Sequence, residues 1–237
     1  MKQSVLFQFL LLTFLLTSCH PDWRDCEGPI GPEELYVFHS PDIQELYVDG
    51  SVDVRVYHSQ NPRVEVVASR NIANRVEVIF HGPAVVIDQV GCIRNHNVLV
   101  EVYTPGLLRT EVSGSGDILF NDYNDVSHTI LEINGSGDVS YMGDNLELTG
   151  IINGSGDIFL RGTARELDIL IDGSGDVHAF DFLSESAYVE IDGSGDTEVW
   201  VERELTVKIH GSGDVFFIGR PDLYITDRGS GDVIDYN

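Results

Sequence analysis

The residues with the clearest chemical potential are seven aspartates, Asp117, Asp138, Asp157, Asp176, Asp196, Asp214 and Asp232, each closing a Gly-Ser-Gly-Asp tetrapeptide. Carboxylates on a fixed spacing suggest hard oxygen ligands, and Ca²⁺ is the cation such a ladder would take. If the corners superpose, neighbouring carboxylates lie about 5 Å apart and repel by roughly 1 kcal/mol in water, more beside a low-dielectric surface. Bound cations or backbone N–H donors must offset that repulsion. Aspartate in a turn commonly accepts from nearby N–H groups, and Gly supplies positive φ or close chain approach, so a structural corner is preferred over a calcium ladder and no cofactor is expected.

Other candidates are sparser. Cys92 and His96 form Cys-x3-His, but no second ligand pair accompanies them, so zinc is not read there. Cys26 and Cys92 could pair in an oxidising compartment or remain separate thiols, and the spacing does not choose. Phe180, Phe182 and Trp200 fall near one corner of adjacent repeats and are candidates for stacking on a sugar ring, unless they pack on the N-terminal strands. A polysaccharide lyase would need a cationic pocket, for which Lys208, Arg161, Arg165 and Arg203 are thin support, and a hydrolase would need a distinct carboxylate pair at a defined separation. No nucleophile elbow, P-loop or dinucleotide fingerprint occurs, and the chain is read as non-enzymatic.

The elements that hold these residues repeat. The tetrapeptide recurs at 114, 135, 154, 173, 193, 211 and 229, with spacings of 21, 19, 19, 20, 18 and 18 residues. A period near twenty indicates a solenoid. Each Asp is followed by a residue that is nearly always branched and apolar: Ile118, Val139, Ile158, Val177, Thr197, Val215 or Val233. Before each turn, inward positions alternate, as in Leu167, Ile169 and Ile171 or Ala187, Val189 and Ile191. A coil is thus two strands joined at a second corner, at Gly143, Gly162, Asp181 or Gly219, and stacking builds parallel sheets around aliphatic columns. Apolar residues beside the inward ones (Leu119, Phe159, Phe217 and Ile234) imply that the sheet's second face is covered, by residues 35–110 or by another copy of the chain.

Residues 35–112 carry period-two runs such as VDVRVY and RVEVVA and are expected to form a β region packed on, or continuous with, the solenoid of residues 113–237. Ahead of them, 1–18 has the layout of an export signal, and Leu16-Thr17-Ser18-Cys19 resembles a lipobox, which implies cleavage before Cys19, acylation of that cysteine and a membrane partner through the lipid. Residues 19–34 read as a tether. With 39 acidic residues against 14 Lys plus Arg, the net charge of −25 disfavours nucleic acid and anionic lipid surfaces.

Val112 to Asp117, preceded by Val100 to Leu108, together with the repeated Ile-Asn/Asp-Gly-Ser-Gly-Asp turns (Ile133 to Asp138, Ile152 to Asp157), resembles the head GIN domain assigned to autotransporter adhesins. The likeness extends to a degenerate opening turn within Leu46 to Val54 and covers roughly residues 43–235. It implies an all-β solenoid on an exported lipoprotein of Bacteroidetes-like bacteria, at the outer membrane or cell surface with the periplasmic face as an alternative. It carries no catalytic residues. The expected function is an adhesin-like binding module facing a glycan or protein. An envelope scaffold is the alternative, with homo-oligomers protecting an open edge at the last repeat.

Overall fold

The computed structural model describes residues 26–94 and 98–237. The export segment, Cys19, most of the tether and His96 lie outside them.

Among the described residues, nine coils stack along one axis. In the four central ones a single strand runs from corner to corner: Val139–Ile152, Ile158–Ile171, Val177–Ile191 and Thr197–Ile209, each hydrogen-bonded in parallel to the next. Like residues superpose, Ile152 on Ile171, Ile171 on Ile191 and Ile191 on Ile209, and all four are essentially excluded from water. These columns form the core. No coil can bury its own apolar edge, so burial comes from the stack.

The N-terminal region continues this axis and does not flank it. Glu45–Asp49 and Val54–His58 make a coil that pairs with Arg109–Val112 and Ile118–Phe120 on one side. On its other side lie Ala84–Gln89 and Leu99–Thr104, also parallel. The first coil in sequence is therefore the second in space. Outermost come antiparallel strands, Glu33–His39 on Arg63–Ser69 on Leu99–Thr104, and Val76–His81 on Ala84–Gln89. The short helix Arg70–Ala73 buries Ile72 beside them. This cap shields the end of the core.

Cys26 and Cys92 are joined by a disulfide, which resolves the alternative left open by their spacing. The clip is reinforced by Glu27, bridged to Ile93 and ion-paired with Arg75 at 2.7 Å.

The corner glycines are explained by close approach alone. A Cβ on Gly173 would lie 2.0 Å from the Gly154 carbonyl oxygen, and one on Gly175 2.0 Å from that of Gly156. None of the seven Gly-Ser-Gly-Asp repeats has a glycine at positive φ, contrary to half of the sequence argument; that conformation occurs at second corners, at Gly162 (127°) and Gly219 (107°), and at Gly50 (98°) in the degenerate opening turn.

Candidate functional site

The aspartate column is the most regular feature. The Asp138 N–H donates to Asp117 Oδ1 at 2.9 Å, Asp157 to Asp138 and Asp176 to Asp157 at 2.8 Å, and Asp196 to Asp176, Asp214 to Asp196 and Asp232 to Asp214 at 2.7 Å. Asp117 itself donates to Asp53 at 3.1 Å, so Gly50-Ser51-Val52-Asp53 is the opening turn of the same ladder. Each carboxylate up to Asp214 thus receives an N–H from the next coil, the kind of charge-assisted bond that offsets repulsion within the column.

The pre-turn strands face solvent with a polar, internally paired surface. Arg109 bridges Glu111 and Glu132, Lys208 donates to the Tyr188 hydroxyl at 2.9 Å, and Tyr188 in turn donates to Glu190. Burial, followed by the charges of Glu166 and Glu147, pushes the Asp168 carboxyl up. Glu190, Asp192 and His210 bring three ligand-type atoms within 4.8 Å of one another, but His210 Nδ1 is already engaged by Asp192 at 2.6 Å and Lys208 approaches Glu190 at 4.0 Å.

The post-turn strands present a different face. Its outward row, set by the strand register, is Arg55, Leu119, Ser140, Phe159, His178, Glu198, Phe216 and Ile234. Leu119 and Phe159 are about 40% exposed, and Trp200, on the same face, is 37% exposed. The Phe159 and His178 rings stack with centroids 4.8 Å apart, and His178 Nδ1 meets Glu198 at 3.1 Å. Tyr236 lies against Phe180 and Phe216. A groove of about 480 Å³ runs through this face, lined by Leu119, Ser140, Met142, Phe159, Arg161 and the Phe180-Asp181 segment.

That segment is an interruption of the stack. The coil from Gly173 to Gly193 has 20 residues where its predecessor has 19, and the register slips between Phe159/Arg161 and again between Ala179/Leu183. Inserted residues form a bulge, which re-aims side chains. Phe180 turns outward, Asp181 opposes Arg161 at 3.8 Å, and Phe182 drops into the core with no exposed surface.

Three sequence expectations are corrected by this geometry. Phe182 is core and unavailable to a ligand, while Phe180 and Trp200 do share a face. None of the described residues of 35–110 covers the outer face beside them, because that region extends the stack at its end. Phe217 points inward, and the outward apolar position is Phe216. The basic residues do not converge: Arg161 lines the groove, Arg165 pairs with Glu147 and Glu166, Arg203 with Glu185, and Lys208 lies on the opposite face. Sequence reasoning also missed Phe159, Ser140 and Arg161 as neighbours, although all three follow from superposing coils on the repeated Asp.

The described residues thus define a parallel β-solenoid with an aspartate-laddered corner and a post-turn face that carries exposed aromatic side chains. The chain belongs to the family described as "Putative auto-transporter adhesin, head GIN domain", whose profile matches residues 42–221. Solved structures of the same fold include a "putative adhesin" from Bacteroides fragilis, at 17% identity with a TM-score of 0.82, covering 87% of this chain and 98% of that one. A "putative lipid binding protein" from Parabacteroides distasonis is 21% identical with a TM-score of 0.71, over 88% and 99% of the two chains. A "putative adhesin" from Parabacteroides merdae is 20% identical with a TM-score of 0.68, over 89% and 100%. Among curated proteins no sequence matches this chain.

Proposed function

We propose that this protein is an exported, lipid-anchored, non-catalytic binding module that presents the outer face of its post-turn sheet to a glycan or protein. One observation carries the reading: the post-turn face leaves Leu119, Phe159 and Trp200 exposed, the first two lining a groove, while the opposite face carries the paired groups around Arg109, Tyr188 and His210. Exposed apolar surface of this kind, rimmed by polar groups, marks interaction sites. Acylation at Cys19 would hold the module at the envelope, with the disulfide-clipped cap at the tethered end. Among the described residues no helix is long and apolar enough to cross a membrane. The adhesin-like family agrees with display at the surface.

The test is saturable binding of the soluble domain to immobilised purified glycans and extracellular proteins. Phe159→Ala with Trp200→Ala should abolish the signal, and Tyr188→Ala on the opposite face should preserve it. Binding untouched by the aromatic pair, or none across the panel, would overturn the proposal.

A further inference from the structure

We infer that the notch above Ser140 seats one ring of a neutral sugar chain, an inference that rests on the binding reading and narrows its ligand. In the outward row Ser140 is the one small residue between Leu119 and Phe159. Those two belong to coils on either side of Ser140, so their backbones stand two strand spacings apart, about 10 Å. With a short side chain at the centre, the space between a leucine and an aromatic ring admits one flat ring. Phe159 is held for the purpose: one of its faces is stacked by His178, which leaves the other towards the Ser140 side.

Polar groups at the end of the notch point to a carbohydrate. The bulge places Asp181 beside Arg161, with Glu198 holding His178 on the next coil. A carboxylate and a guanidinium side by side accept from and donate to adjacent hydroxyls, while the phenyl face takes the C–H side of a pyranose. Charge decides against acidic sugars. Two carboxylates rim the groove, and the chain carries a net charge of −25, so a sialate, uronate or sulfate would be repelled. The bulge is a second, independent sign: it is one of the few register breaks in the central stack, and it falls where Phe180 and Asp181 close the groove.

The experiment uses the soluble domain with neutral oligosaccharides ending in glucose, galactose, mannose or N-acetylglucosamine, and sialylated or sulfated counterparts. Binding is read by saturation-transfer NMR and calorimetry. Ser140→Phe fills the notch from an outward strand position and Phe159→Ala removes its wall; thermal melting checks that both fold. The expected result is binding of at least one neutral chain, weakened at least about tenfold by each substitution and absent for acidic counterparts. Neutral-sugar binding insensitive to Ser140→Phe overturns the notch and leaves the binding module standing. Binding confined to acidic sugars or to proteins overturns the neutral-sugar inference in the same way, whereas failure of every glycan and protein removes the module reading itself.

Discussion

Replacing Gly173 by alanine tests the superposition of corners on which everything else is built. The new Cβ would stand 2.0 Å from the Gly154 carbonyl oxygen and 3.0 Å from its carbon and nitrogen, all backbone atoms that cannot rotate away. Relief requires the corner to lift by about 1 Å, beyond the range of a normal hydrogen bond. Four bonds cross that gap: Asp172 N–H to Ile152 O at 2.8 Å, Ser174 N–H to Gly154 O at 2.9 Å, Ile158 N–H to Asp176 O at 2.9 Å and Asp176 N–H to Asp157 Oδ1 at 2.8 Å. At about 1 kcal/mol net for each, the loss is about 4 kcal/mol. For a chain of this size that lowers the melting temperature by roughly 10 °C. Gly28→Ala is the control, because nothing lies within 4 Å of its added carbon. Thermal and urea unfolding of both variants suffices. A Gly173→Ala protein melting within about 2 °C of the parent would refute the close stacking.

Excising residues 155–173, one period, should leave a cooperative fold, whereas Ile171→Asp places a charge in a column that is 2% exposed and should prevent folding; circular dichroism separates the two. Thr197→Val should raise stability by about 1 kcal/mol in urea titrations, because the buried Thr197 hydroxyl has no partner and sits between Val177 and Val215. Asp157→Asn keeps an acceptor for the Asp176 N–H and should cost less than Asp157→Ala, and adding calcium to chelated protein should leave the melting temperature in place; a clear rise would establish cation binding at the ladder. The Tyr103 phenol is pushed up to about 12 by burial first, then by its hydrogen bond to Glu101. A raised folded value means its stabilisation is complete below the ordinary tyrosine range near 10 and disappears as pH climbs towards 12. Tyr47, Tyr141 and Tyr188 are pushed up as well, so tyrosinate absorbance should show several late-titrating groups, one of which is lost in Tyr103→Phe.

Most of the solenoid could be read from the residues because each coil repeats the same local demand. An inward branched residue follows every Asp, alternation precedes every turn, and glycines appear where backbones touch. Even the degenerate Gly50-Ser51-Val52-Asp53 turn was recognisable, since Asp53 retains the acceptor that Asp117 needs. The order of stacking was not. Strands Ala84–Gln89 and Leu99–Thr104 lack the tetrapeptide, and period-two patterning states which face is buried but not which neighbour buries it. The candidate site was half visible: Trp200 and Phe180 were found as aromatics near a corner, yet Phe182 was misplaced because a one-residue bulge reverses the alternation. The signal was there in the 20-residue spacing between Gly173 and Gly193. Pairing of Cys26 with Cys92 needed coordinates, because two cysteines separated by 66 residues carry no geometry of their own.

The choice between the two long faces can be decided by amide-shift mapping on the isotope-labelled domain, titrated with whichever glycan or protein binds it. Perturbations should cluster at Leu119, Ser140, Phe159, His178 and Trp200 and spare Glu111, Glu132, Tyr188 and His210. Shifts concentrated on the second group would contradict the account.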